Sequence, residues 1–165
     1  MSTDLSKREE NFHKYMDMIS AESDRGAALL VAAIMDELLS DIISAFLADT
    51  DTARDLLKHR GLDTFSSRIL ICHALGLITT EEKNHLEIIR KIRNSFAHKW
   101  DSVNFETQQI RDLANNLTWT TDVEHSIPAT PTTRFVMTSV LLIINLQFRS
   151  ISIVEQKRTI RISDK

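Results

Sequence analysis

The stretch SDRGAALLVAAIMDELLSDIISAFL, residues 23–47, decides the fold of this chain. Apolar residues surround most of its helical circumference, and its narrow polar strip consists of Glu37, Ser40, Asp41 and Ser44. A helix with so little polar surface must be covered by other elements on most sides. Ser23 or Asp24 can cap its start, because a short polar side chain accepts hydrogen bonds from free backbone N–H groups. The stretch therefore predicts the central helix of a helical bundle.

The rest of the chain also has a helical pattern. Only three glycines and two prolines occur in 165 residues, which favours long helices over many short strands. Further helices are expected near residues 5–20, 52–59, 65–75, 79–98, 106–117 and 131–155. We therefore expect an all-α, single-domain helical bundle of about six or seven helices. Its parts are an N-terminal helix over residues 1–22, a helical core over 23–155 and a basic, solvated tail over 156–165.

Capping residues mark several of these boundaries. Gly61 and Gly76 are expected to end helices in the left-handed conformation. Thr64 can cap the helix that Gly76 ends, and Thr79 with Glu82 has the spacing of a capping box. Pro131 after Thr130 suits the first position of the last helix. The β-branched run SISIV near residue 152 leaves the end of that helix open to fraying or to a strand.

Composition excludes several classes of function. The formal net charge of −3 gives nucleic acid no general attraction. A single cysteine, Cys72, excludes an intrachain disulfide and a multi-cysteine zinc site, and the histidines show no metal-ligand spacing. The longest uncharged run near the C-terminus, residues 135–148, is shorter than the roughly 20 residues of a membrane span. We expect a cytoplasmic protein without a cofactor, a metal or a membrane segment.

The segment RKIRNSFAHKW, residues 90–100, is the main candidate site. Arg93 lies at the edge of an apolar stripe formed by Leu86, Ile89, Ile92 and Phe96. An unpaired charge there would be costly, so Arg93 is expected to bond a carboxylate from the central helix. The first hypothesis is therefore a polar cluster, structural or functional, whose members are Asp36, Glu37, Asp41, Arg68, Arg90 and Arg93.

A second hypothesis for the same segment is catalytic. An arginine followed after four residues by a histidine resembles the signature of the HEPN superfamily. The resemblance implies a metal-independent ribonuclease that uses Arg93, Asn94 and His98, with two copies lining one cleft. The chemistry is reasonable, since a histidine transfers protons near neutral pH and an arginine stabilises a developing phosphorane charge. The acidic chain is nevertheless a poor electrostatic attractor for RNA.

Direct DNA reading is not expected. Residues 69–94 superficially offer a helix, a glycine turn and a second helix. The first turn of that second helix would have to approach the DNA, and it carries Glu81 and Glu82, which phosphates would repel.

Several separated blocks resemble the mannitol operon repressor (MltR) family. They are Asp24-Arg25-Gly26, Asp36-Glu37, TFSSR at 64–68, ALGLI at 74–78 and IRKIRNSFAH at 89–98. The resemblance spans residues 23–98. It implies an all-helical fold and a transcriptional regulator that acts through a protein partner rather than through a DNA-binding motif of its own.

Three hypotheses for function therefore remain. The first is a non-enzymatic transcriptional regulator or co-repressor that binds a transcription factor or another protein, with a possible homodimer formed through the long helices. The second is an immunity protein or antitoxin that blocks a nuclease toxin with acidic residues. The third is the HEPN-like ribonuclease. In the immunity hypothesis, the acidic residues that could face the toxin are Glu37, Asp41, Asp49, Asp51, Asp122 and Glu124.

Overall fold

The computed structural model describes residues 2–59, 61–98, 103–118 and 129–160, without the side chains of residues 2–5 and 59. Over these ranges the chain forms seven α-helices and no strand. They are α1 (Ser2–Ser20), α2 (Asp24–Phe46), α3 (Asp51–His59), α4 (Phe65–Ala74), α5 (Thr80–His98), α6 (Gln108–Ala114) and α7 (Pro131–Ser152). A 3₁₀ helix, Ile153–Gln156, follows α7 in the segment where the sequence allowed either a frayed helix end or a strand. The predicted all-α fold is confirmed.

The predicted capping residues stand at the observed helix boundaries. The Ser23 hydroxyl accepts the Gly26 N–H at 3.1 Å and starts α2. The Thr79 N–H donates to the Glu82 carboxylate at 2.7 Å, and the Glu82 N–H donates to the Thr79 hydroxyl at 3.2 Å. Gly76 has a φ of 71°, a left-handed conformation in which a side chain would be strained.

The start of α6 differs from the prediction. The helix was expected over residues 106–117, and it spans Gln108–Ala114. The Asn104 side chain accepts hydrogen bonds from the N–H groups of Glu106 and Thr107, at 3.0 Å and 3.1 Å. The Thr107 N–H also donates to the Asn104 carbonyl at 3.1 Å, which closes a separate turn before the helix. The Thr107 carbonyl is the first to accept a helical hydrogen bond, from the Arg111 N–H at 2.9 Å.

Helix α2 lies at the centre of the bundle, as its sequence predicts. It contacts α1, α3, α4, α5, α7 and the 3₁₀ helix. Along α2 the fully buried side chains are Ala28, Val31, Met35, Leu39, Ile42 and Ile43. Phe96 and Phe135 close the core on either side of Phe105, with ring centroids 5.4 Å and 4.9 Å from it. The core therefore joins the end of α5 to the start of α7.

Helix α7 is apolar and long. Together with the 3₁₀ helix it spans Pro131–Gln156, and the mean hydropathy of one 18-residue window is 1.5. By length and composition alone such a helix could cross a membrane. Within the bundle, 56% of that window is buried against other helices, which is the usual environment of a core helix.

The described part of the tail, residues 156–160, is exposed, and one of its residues, Arg158, also contacts the end of α2. The Arg158 N–H donates to the Phe46 carbonyl at 2.8 Å, and its guanidinium lies 4.9 Å from the centroid of the Phe46 ring. These contacts fix the start of the tail to the end of α2. Residues 161–165 lie outside the described ranges.

Candidate functional site

The last two turns of α5 carry the candidate site. Leu86, Ile89, Ile92 and Phe96 are fully buried, which confirms the predicted apolar stripe. Arg93 and His98 are both exposed. The packing of α5 therefore presents both polar side chains of the block at the surface.

Arg93 does not make the predicted bond to a carboxylate of α2. Its described hydrogen bond runs from Nη1 to the side-chain oxygen of Asn94 at 3.1 Å. The prediction was wrong because α4 lies closer to the carboxylate in question. Arg68 of α4 places Nη1 2.7 Å from Oδ1 of Asp36 and donates through Nε to the Leu62 carbonyl at 2.8 Å. Arg68 thus takes the position that the sequence assigned to Arg93.

The other members of the predicted polar cluster are also separated. Arg90 donates to Glu87 on its own helix at 2.8 Å and 3.2 Å, and not to α2. Glu37 and Asp41 are exposed, and neither forms an ion pair with the described residues. Partial burial, and then the neighbouring charge of Glu37, raise the pKa of Asp41. The cluster is therefore two separate ion pairs, two exposed carboxylates and one exposed arginine.

A groove between α2, α4 and α5 exposes Arg93. Its volume is about 560 Å³, and we call it the arginine groove. The first turn of α4 and the outer face of α2 form two of its walls, and α5 forms the third. Its lining residues are Leu29, Ala32, Ala33, Asp36, Asp63, Thr64, Phe65, Ser66, Arg90, Arg93 and Asn94.

His98 lines a different groove, of about 580 Å³, between α5 and α6. It lies five positions after Arg93 on the helix, which turns the two side chains about 140° apart around the helix axis. Asn94 lines both grooves and lies between them. Within one chain the described residues therefore do not bring Arg93 and His98 into one cleft. The α5–α6 groove is lined by Lys91, Asn94, Ser95, His98, Gln109, Asp112, Leu113 and Asn116.

Two buried polar sites have structural roles. Cys72 is fully buried, and burial raises the pKa of its thiol to about 12, so it is a core residue as predicted and a poor nucleophile. Glu82 pairs with Arg149 of α7, which also donates to the Leu77 carbonyl at 3.2 Å. The sequence indicated Glu82 as a cap but gave no sign of its partner. The described residues contain no group of three side chains able to hold a metal ion.

Some of the acidic residues assigned to the immunity hypothesis already form ion pairs within the chain. Asp49 and Asp51 both pair with Arg54 of the same chain. Asp122 and Glu124 lie outside the described residues. The immunity hypothesis stays a prediction.

Comparison with known proteins bears on the fold. No family model matches this sequence, and no curated protein matches it. A chain of the X-ray structure of the MtlR–HPr complex from Escherichia coli superposes with a TM-score of 0.58. The superposition covers 86% of this chain and 98% of that chain, at 15% sequence identity. The chain has an MtlR-like fold.

The MtlR-like fold agrees with the resemblance that the sequence blocks over residues 23–98 indicated. At this identity the likeness shows the fold alone, because one fold can carry unrelated functions. The HEPN-like assignment of Arg93, Asn94 and His98 stays a prediction.

Proposed function

We propose that this protein is a non-enzymatic regulator that acts by binding another protein, as a transcriptional regulator or co-repressor of the MltR type. The observation that carries the proposal is the MtlR-like fold, because the structural neighbour was solved in a complex with the protein HPr. HPr is therefore the first candidate partner, and a transcription factor is the second. We place this activity in the cytoplasm.

The electrostatics support a protein partner over a DNA site. The net charge is −3, and the first turn of α5 carries Glu81 and Glu82, where a DNA-reading helix needs a surface that tolerates phosphates. Regulation by this chain would then reach DNA through its partner.

The test uses the full-length chain. Purified protein is titrated with purified HPr from the same organism, and a tagged copy is recovered from its native cells under mild cross-linking. We expect a saturable complex with HPr, or recovery of a specific DNA-binding protein, and no mobility shift of promoter DNA by this protein alone. A sequence-specific shift without any partner would contradict the proposal.

A ribonuclease is the second candidate, favoured by one observation. Arg93 and His98 are both exposed, and no carboxylate among the described residues holds the Arg93 guanidinium. Because the two side chains line different grooves, a second copy would have to complete the cleft. Incubation of tRNA and mRNA with the protein in EDTA tests this activity. Cleavage by the wild type that His98→Ala abolishes would establish it, and intact RNA would exclude it.

A further inference from the structure

We infer that the arginine groove receives the protein partner and that Arg93 binds the carboxylate of an Asp or Glu side chain presented by that partner. This inference rests on the proposed function, since it states where the partner binds and by which chemistry.

The binding capacity of Arg93 is largely unused within its own chain. Its described bond goes to a neutral amide, that of Asn94, and leaves most of its donors free. A guanidinium presents its N–H groups as a planar fork that matches both oxygens of a carboxylate. Other arginines of the chain pair with carboxylates: Arg54, Arg68, Arg90, Arg111 and Arg149.

The other charges of the groove are mostly balanced. Arg68 neutralises Asp36, with 2.7 Å between Nη1 and Oδ1, and Glu87 neutralises Arg90 at 2.8 Å. Asp63 is exposed and lies on the edge shared with a neighbouring groove, which Arg54, Lys58 and Arg68 also line. The unbalanced charge on the α5 wall is therefore the positive charge of Arg93.

The opposite wall suits an apolar side chain. Leu29 of α2 is 38% exposed, the neighbouring Ala33 is exposed, and the half-buried Phe65 of α4 adds to the apolar part of the groove. The volume of about 560 Å³ falls in the range of roughly 300–1,000 Å³ that is typical of binding clefts. An arginine beside an apolar surface is a common arrangement at the energetic centre of protein interfaces.

RNA is a poorer occupant of this groove. Single-stranded RNA is bound by several cations along its backbone and by exposed aromatic rings on which bases stack. Here one cation is unbalanced, where an RNA backbone needs several, and the ring of Phe65 is partly buried in the core. These observations favour a carboxylate on a protein.

The first experiment uses a defined probe. The Nε–Hε resonances of the arginines are followed by NMR while the full-length protein is titrated with a blocked hexapeptide that has one Glu between two Leu residues. The matched peptide has Gln in place of Glu. We expect a saturable shift of the Arg93 resonance with the Glu peptide, and loss of that response with the Gln peptide. No shift at Arg93, or equal shifts with both peptides, would overturn the inference. So would tighter binding of a single-stranded RNA decamer at the same resonance.

The second experiment separates this inference from the proposed function. HPr is titrated into the wild type, into Arg93→Gln and into the control Lys91→Gln, an exposed cation on α5 that lines the other groove. We expect Arg93→Gln to bind about tenfold more weakly, with Lys91→Gln unchanged. Equal binding by all three would overturn the groove assignment and leave the proposed function in place. A response to the Glu peptide without any HPr binding would contradict HPr as the partner and leave the groove assignment in place.

Discussion

At the scale of single residues, burial separates two arginines that the sequence grouped together. The Arg68 side chain is only 14% exposed, forms an ion pair with Asp36 and donates to the Leu62 carbonyl, whereas Arg93 is exposed and donates to Asn94. When one partner of a half-buried ion pair is removed, the other charge stays partly buried without a partner, which destabilises the folded state. Removal of an exposed arginine leaves no buried polar group without a hydrogen-bond partner.

We therefore predict opposite results for two alanine substitutions. Arg68→Ala should lower the free energy of unfolding by about 2–3 kcal/mol, because Asp36 and a backbone carbonyl lose their partner. Arg93→Ala should change it by no more than about 0.5 kcal/mol, as for most surface positions. Urea denaturation of both variants beside the wild type measures this difference. Equal losses would show that Arg93 is held more tightly than its single bond indicates.

The sequence could predict which face of α5 is buried, but not the partner of Arg93. Spacing fixes the angle of a side chain around its own helix, so the stripe that ends at Phe96 was predictable. Which of α4 and α5 approaches Asp36 depends on how three helices pack. In the folded chain Arg68 of α4 pairs with Asp36, and the residue spacing within α5 cannot predict which neighbouring helix supplies the arginine.

At the scale of elements, one ion pair fixes the start of α5 to α7. Glu82 accepts from the Thr79 N–H and pairs with Arg149, which also binds the Leu77 carbonyl of the α4–α5 connection. The Glu82 side chain is only 11% exposed, so this contact stabilises the fold more than a surface ion pair does.

Glu82→Ala should therefore lower the free energy of unfolding by about 2–4 kcal/mol, since it removes a cap and leaves Arg149 without its carboxylate. The control Glu37→Ala removes an exposed carboxylate from the middle of α2 and should cost less than about 0.5 kcal/mol. Thermal unfolding followed by circular dichroism compares the two. If Glu82→Ala unfolds at the same temperature as the control, the Glu82–Arg149 ion pair makes no net contribution to the stability of the fold.

A second contact between elements is sensitive to pH. His85 of α5 lies 3.1 Å from the Thr118 hydroxyl beyond α6, and its burial lowers its pKa against the opposing effect of Glu81 and Glu82. The folded state therefore resists protonation of His85, whereas a histidine in the unfolded chain has a pKa of about 6.5. The associated stability is fully present above that pH and is lost as the pH falls toward the lower native pKa.

His85→Gln should flatten this decline in the free energy of unfolding between about pH 7 and pH 5. Thr118→Val is the control, since it removes the hydrogen bond but leaves the imidazole half-buried. That variant should keep the wild-type slope at lower overall stability. Urea denaturation across the pH range gives both slopes, and a wild-type slope in His85→Gln would mean that another group titrates.

Helix boundaries were predictable wherever capping chemistry was local. Ser23, Thr64, Thr79 and Thr130 each precede an observed helix, because a cap needs only its own side chain and the next turn. The start of α6 was placed too early, because residues 104–107 form a turn of their own before the helix, with the Thr107 N–H donating to the Asn104 carbonyl. The Glu82–Arg149 pair joins residues 67 positions apart, beyond any local pattern.

At the scale of the whole molecule, the polar strip of α2 was enough to predict the class of fold. A helix with so little polar surface requires neighbours around it, and five other helices and the 3₁₀ helix contact it. The grooves on either side of Asn94 were not predictable, because each is formed by elements distant in sequence. The partner-binding site that we infer lies in one of these grooves.

The most direct test of this account is photo-cross-linking in native cells. A photoreactive residue replaces Ser66 on the α4 wall of the arginine groove, or Asn84 on the exposed face of α5 as a control. We predict a discrete protein adduct from position 66, containing HPr or a transcription regulator, and none from position 84. An RNA adduct at position 66, or no protein adduct there at all, would contradict the claim that this protein regulates by binding a partner in that groove.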